Sequence, residues 1–328
     1  MERPSDLKQR IAASRELLDA RYSAKRGKPE RSFLTISDLT EEQVIDILNG
    51  GINIKKNSSK YREVLKDKSV ALLFQKTSTR TRCSFEIGVG EMGGQPMYID
   101  WKSSNFTLAD LQDEIRVLSR YVDLILARVH KHEDLLTMRK YTEVPVVNGL
   151  SDLYHPCQGL ADFMTIKEYF GELEGLNLCY VGDGNNVCHS LINGAIKTGM
   201  HITIAYHQNY APNPEIVEEA KTKNAIYLTN SLEDAIKDAD VIYTDTWVSM
   251  GNESETDARI QTFSGFQVNE ALLSKAPDHA LVMHCLPAHR GYEISADVLD
   301  SKNSVVFDQA ENRKHVQKYL IAWILERV

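Results

Sequence analysis

Hydroxyls and guanidiniums concentrate in one short stretch, Phe74-Gln-Lys-Thr-Ser-Thr-Arg-Thr-Arg82. The apolar run 69–74 before it reads as a strand, and Phe85, Val89 and Met92 after it recur on one face of a helix. A strand-to-helix turn exposes backbone N–H groups at the positive end of the helix dipole. With the hydroxyls of Ser78, Thr79 and Thr81 it would form an anion site. Arg80 and Arg82 can add charge-assisted bonds to phosphate oxygens. The stretch is not a Walker A loop, because it lacks the G-x-x-x-x-G-K-[ST] pattern. A capped helix with solvated arginines is the plainer alternative.

Three further motifs sit where strands should end or helices begin. His155-Pro-Cys-Gln158 leads into a helix with Pro156 in its first turn, so His155 could donate to a developing oxyanion or merely flank the helix end. Thr244-Asp-Thr-Trp-Val-Ser-Met-Gly251 puts Asp245 after a strand, where a carboxylate can meet a cationic group or serve as a turn residue. His284-Cys-Leu-Pro287 ends another strand, with Cys285 either reactive or a small buried apolar residue. Val181-Gly-Asp-Gly-Asn-Asn186 suggests a dinucleotide fingerprint but fails it. Val187 holds the third glycine position, and the strand 201–206 ends without the acidic residue that would hold a ribose. A nicotinamide cofactor is therefore rejected.

The elements that must position these residues alternate. Short apolar runs at 69–74, 124–129, 144–148, 176–181, 201–206, 240–244 and 280–284 read as strands. Between them lie amphipathic patterns, such as the stripe Leu108, Leu111, Ile115, Leu118 and Val122. Near the C-terminus Val316, Tyr319, Leu320, Trp323 and Ile324 make another. Strand–helix alternation predicts parallel sheets covered on both faces. The expected fold is α/β, with two doubly wound parallel-sheet domains joined by interdomain helices, including one at 156–170, and a cleft between them. Ligands in such sheets bind at the carboxyl ends of the strands.

Composition agrees with an enzyme of this kind. At 328 residues and 37.1 kDa the chain exceeds one ordinary core. Its 42% hydrophobic and 26% charged residues exclude disordered and collagenous classes, and a net charge of −8 argues against nucleic acid as a partner. No apolar run reaches membrane-spanning length, so no membrane partner is expected. Five cysteines without C-x-x-C spacing fit neither a disulfide framework nor a zinc ribbon, and suggest a reducing, cytoplasmic setting. Residues 1–31 lack the apolar segment of a signal peptide and read as an extension that packs on the surface or mediates assembly.

Taken together and in this order, the motifs resemble the aspartate/ornithine carbamoyltransferase family, from about Phe33 to the C-terminus. Ser78-Thr-Arg-Thr-Arg82 resembles its phosphate loop, and His155-Pro-Cys-Gln158 its H-P-x-Q. Ser249-Met-Gly251 resembles the ornithine-type loop, and His284-Cys-Leu-Pro287 the H-C-L-P. Arg128 and Arg313 match two arginines that the family directs at carbamoyl phosphate.

The resemblance implies transfer of a carbamoyl group from carbamoyl phosphate to the δ-amine of L-ornithine, without metal or organic cofactor, in a homotrimer or a multiple of trimers. Ser78, Thr79, Arg80 and Thr81 would hold phosphate; Arg128, His155 and Gln158 would grip the carbamoyl group. Asn186, Asp245, Ser249, Met250, Cys285 and Leu286 would face the acceptor, and Arg313 the phosphate side. Arg128, His155, Asp245 and Cys285 would be catalytic. The implied division is an extension at 1–32 and a carbamoyl-phosphate domain at 33–155. An ornithine domain at 156–307 and a helix at about 308–328, packed back on the first domain, complete it. The segment Asp100-Trp-Lys-Ser-Ser-Asn-Phe-Thr-Leu-Ala-Asp110 departs from the family: Ser104 stands where Gln or His is usual, and no glycine follows. Gln75 likewise replaces a common Glu. A sister enzyme using putrescine or an acylated ornithine is the alternative that this loop motivates, and a non-catalytic paralogue is a third.

Overall fold

The computed structural model describes residues 9–14, 16, 29–248 and 255–328. Two parallel sheets organise them. The first has strands β1 (Ser69–Phe74), β2 (Gln95–Asp100), β3 (Leu124–Arg128) and β4 (Val146–Leu150), in the order β2-β1-β3-β4. The second has β5 (Asn177–Val181), β6 (His201–Ala205), β7 (Ile226–Thr229), β8 (Val241–Thr244) and β9 (Leu281–His284), in the order β7-β6-β5-β8-β9. Every strand pairing in both sheets is parallel.

The predicted strands all form, the first at the expected 69–74 and the others with one or both ends displaced by one or two residues. Central strands such as β3 and β8 are buried along their whole length, which is why they read as continuous apolar runs. Strands β2 and β7 were absent from the expectation. Both are edge strands without one fully buried position, and Pro96 further weakens the signal of β2.

The helices that bear on the site are α1 (Glu41–Lys56), α2 (Thr79–Glu91), α3 (Leu111–Leu118), α4 (His132–Tyr141), α5 (Pro156–Phe170), α6 (Asn186–Thr198) and, at the chain's end, Val306–Ile324. The stripe placed on 108–122 needs correction. Helix α3 starts only at Leu111, Leu108 is 83% exposed before it, and Val122 is buried beyond its end. The C-terminal helix begins two residues before the expected 308 and ends at Ile324. It packs against α1, α2 and α5. Helix α5 runs between the two sheets and is buried from Pro156 through Ile166, so it lacks a polar outer face. One apolar cluster passes through it from Leu72 and Leu126 of the first sheet to Tyr180 and Tyr243 of the second.

Strand order reverses direction between β1 and β3 in one sheet and between β5 and β8 in the other. At each such switch point the loops leave in opposite directions and open a crevice at the carboxyl ends. The motifs of interest follow β1, β4, β5, β8 and β9, and Arg128 is the last residue of β3.

Candidate active site

A cleft of about 940 Å³ lies between the two crevices. Ser78 to Thr81, Arg128, His155 and Arg313 line one side, and Asn186, Asp245, Cys285 and Leu286 the other. Gln158 is the exception. It is buried behind the wall with its amide held between Arg313 and Asp162, 2.6 Å from Nη1 of the one and 2.8 Å from Oδ1 of the other. Ser249 and Met250 lie outside the described residues.

On the first side, Ser78 caps α2 by accepting from the Thr81 amide at 3.3 Å, which fixes the loop against the helix start. The Thr81 hydroxyl is bracketed by Nη1 of Arg128 at 3.5 Å and Nη2 of Arg313 at 3.3 Å. Thus residues 81, 128 and 313, distant in sequence, meet at one oxygen. Arg82 turns away: its guanidinium binds Glu86 at 2.9 Å and stacks over Tyr98, so it adds nothing to the cleft. Burial, then the charges of Arg313 and Arg80, push Arg128 down to about 9, still cationic at neutral pH. Burial lowers Arg313 likewise. Guanidiniums crowded this closely repel one another until an anion arrives.

His155 is 6% exposed, and Ser190 anchors its backbone N–H at 2.8 Å. Burial, followed by Arg313, Arg128 and Arg80, holds its imidazole well below the usual histidine range. It is therefore neutral, with Nδ1 buried and unpartnered among the described residues.

On the second side, Asn185 rather than Asn186 caps α6, accepting from the amides of Val187 and Cys188. Its Nδ2 also donates to Asp245 Oδ2 at 2.7 Å. Neighbouring Asn186 donates to the Ser151 carbonyl at 2.6 Å, tying the second sheet to the segment before α5. The Cys285 thiol donates to Asp245 Oδ1 at 2.9 Å. Burial and that carboxylate push the thiol well above its ordinary value, so it is a donor and not a thiolate.

Asn185 was not foreseen from sequence; two adjacent asparagines gave no sign of which one caps. The buried pair Asp183–Arg259, 2.7 Å apart, also escaped notice, as did Trp247, whose indole Nε1 is buried without a partner among the described residues. Arg259 further donates to the Trp247 carbonyl at 3.2 Å and anchors the start of the acceptor-side loop.

Asp245, His284 and Cys285 bring one ligand-type atom each within 4.8 Å of one another. His284 is already engaged at both nitrogens: Nδ1 accepts from the Leu286 amide at 2.8 Å, and Nε2 faces Glu293 at 3.0 Å. No lone pair remains on it for an ion. Leu286, whose amide donates to His284, also holds a left-handed backbone (φ 56°) just before Pro287.

Two parallel α/β units facing each other over an anion-binding loop and a carboxylate define an enzyme that brings a phosphorylated compound to a polar acceptor. The chain belongs to the aspartate/ornithine carbamoyltransferase family. Residues 31–168 match the family model described as its carbamoyl-P binding domain, and residues 174–324 the Asp/Orn binding domain. An ornithine carbamoyltransferase of Methanocaldococcus jannaschii is 48% identical over 302 residues, covering 90% of this chain and 99% of that one. One of Thermococcus kodakarensis is 46% identical, covering 90% and 96%. The solved ornithine carbamoyltransferase from Pyrococcus furiosus superposes with a TM-score of 0.87 at 43% identity, covering 92% of this chain and 98% of that one. An anabolic one from Campylobacter jejuni gives 0.85 at 38%, covering 90% and 99%.

Proposed function

We propose that the chain transfers the carbamoyl group of carbamoyl phosphate to the δ-amine of L-ornithine, giving L-citrulline and phosphate. The observation that carries this reading is the convergence of Arg128 and Arg313 on Thr81, beside Arg80, facing the Asp245–Cys285 pair across one cleft. Ser78, Thr79, Arg80, Thr81 and Arg313 hold the phosphate. Arg128 and neutral His155 donate to the carbonyl oxygen as negative charge grows on it. Gln158 acts in this reading through Arg313.

The δ-amine must be neutral to attack. With an ordinary amine value of about 10.4, that costs roughly 4 kcal/mol near pH 7.4. Asp245 orients the amine by accepting from it, and the Cys285 thiol steadies Asp245. The amine nitrogen then bonds to the carbonyl carbon, the carbon–oxygen bond to phosphate breaks, and the departing phosphate takes the nitrogen's proton. Asn186, Ser249, Met250 and Leu286 complete the acceptor side. The working form in this reading is a cytoplasmic homotrimer with sites at subunit boundaries.

Ureido-product formation from carbamoyl phosphate with L-ornithine, N-acetylornithine, putrescine and lysine in parallel tests the proposal. Strong preference for ornithine supports it. Preference for another amine would make residues 98–110 the specificity element, and no product from any would sink the enzymatic reading.

A further inference from the structure

Helix α5 carries a carboxylate where its neighbours are apolar. Asp162 is fully buried and follows Leu160 and Ala161 and precedes Phe163 and Met164, all buried too. Three donors from three elements converge on it. Oδ1 accepts from Gln158 Nε2 at 2.8 Å and from Gln309 Nε2 at 2.7 Å; Oδ2 accepts from the Tyr243 hydroxyl at 3.1 Å.

The consequence lies at the far ends of the two amides. In its ionised form Asp162 only accepts, so each glutamine turns its NH2 toward it and its oxygen away. The Gln158 oxygen then receives Arg313 Nη1 at 2.6 Å. The Gln309 oxygen receives the backbone N–H of His284 at 3.0 Å, one residue before Cys285. Flipping either amide would set donor against donor at its outer end and oxygen against oxygen at Asp162.

We propose that Asp162 is a positioning residue that orients both glutamine amides, so that one buried carboxylate aims Arg313 on the phosphate side and seats the Cys285 strand end on the acceptor side. The inference rests on the reading of Arg313 as a phosphate ligand. Burial raises Asp162 to about 7, against the opposing pull of its three donors. An apolar residue at 162 would leave the Gln158 and Gln309 amides and the Tyr243 hydroxyl buried without their acceptor. The carboxylate thus fixes the rotamers of both amides, and through their outward oxygens it acts on Arg313 and on the His284 backbone.

The test uses the full chain and two readouts that do not require turnover: calorimetric binding of inorganic phosphate, and the iodoacetamide labelling rate of Cys285 followed by peptide mass spectrometry. Asp162→Leu is expected to weaken phosphate binding by roughly tenfold, the weight of one charge-assisted bond. It should also speed Cys285 labelling several-fold as the thiol leaves Asp245. Asp162→Asn, whose oxygen can replace Oδ1 while its amide faces Tyr243, should stay within about threefold of the parent on both. Gln158→Ala should move only phosphate binding, and Gln309→Ala only labelling. The proposal is overturned if Asp162→Leu leaves either readout unchanged, if Asp162→Asn is as damaged as Asp162→Leu, or if the glutamine variants do not separate. Should Asp162→Leu fail to fold, the two glutamine variants decide. Absence of phosphate binding by the unaltered chain would instead strike the functional reading on which this one rests.

Discussion

The Cys285 thiol donates to Asp245 Oδ1, while Oδ2 of the same carboxylate accepts from Asn185. The carboxylate is thus pinned by two neutral donors that follow strands β5 and β9, and its charge lies beside the thiol. That charge also suppresses the thiolate. Iodoacetamide at pH 8 should therefore label exposed Cys83 well before Cys285. Asp245→Asn should raise the Cys285 labelling rate several-fold and the KM for ornithine by at least about tenfold, with the KM for carbamoyl phosphate little changed. Equal labelling of Cys285 in both proteins would contradict the pairing.

Arg80 lines the cleft from the start of α2 and contributes to the repulsion felt by Arg128, Arg313 and His155. Its removal should relieve that repulsion in the empty protein and withdraw a bidentate phosphate ligand. Arg80→Ala should lower kcat/KM by roughly 10²–10³, the loss of about two charge-assisted bonds. The melting temperature should hold or rise slightly. A fall in activity matched by a collapse in melting temperature would assign Arg80 to the fold.

How far the residues announced this arrangement follows from burial. Core strands such as β3, buried throughout and apolar up to its last residue Arg128, are visible in any sequence, whereas edge strands β2 and β7 carry exposed or half-buried positions that mimic loops. Loop motifs at strand ends were legible because Ser78, His155, Asp245 and Cys285 are short-range signals beside apolar runs. The supporting layer was not. Asn185 and Asn186 are indistinguishable until α6 selects which one caps it. Asp183 and Arg259 pair across 76 positions, and Gln158 reaches Arg313 across 155. One signal was available: a lone aspartate at 162 inside the apolar run of α5 is improbable without buried partners.

His155 gives a pH prediction with a definite sign. Its imidazole is held neutral in the folded chain, while in the unfolded chain it takes a proton near 6.5. As pH falls below that value the unfolded state gains a proton that the folded state refuses, so stability is lost in that direction. Above about pH 7.5 the residue is neutral in both states and contributes no pH dependence. His155→Asn should therefore lose less melting temperature than the parent between pH 7.5 and pH 5, while its activity falls at both. An unchanged acid sensitivity would show that His155 is already protonated in the fold.

Gly184 joins β5 to α6, and its surroundings explain why no side chain belongs there. A Cβ at this position would overlap the backbone of Ala211 and Pro212, and the Gly184 amide is bound to the Tyr210 carbonyl at 3.0 Å. Neither neighbour is the end of a flexible side chain, so an added methyl must displace the loop itself. The next residue is Asn185, which holds both the helix start and Asp245. Overpacking of this kind costs about 1–3 kcal/mol. Gly184→Ala should lower stability by that amount and raise the KM for ornithine while lowering kcat. Phosphate binding should be nearly untouched, because Ser78, Arg80 and Arg128 belong to the other sheet. Calorimetry with inorganic phosphate beside steady-state kinetics checks the split, and equal damage to both would mean that the two sides of the cleft are not independently built.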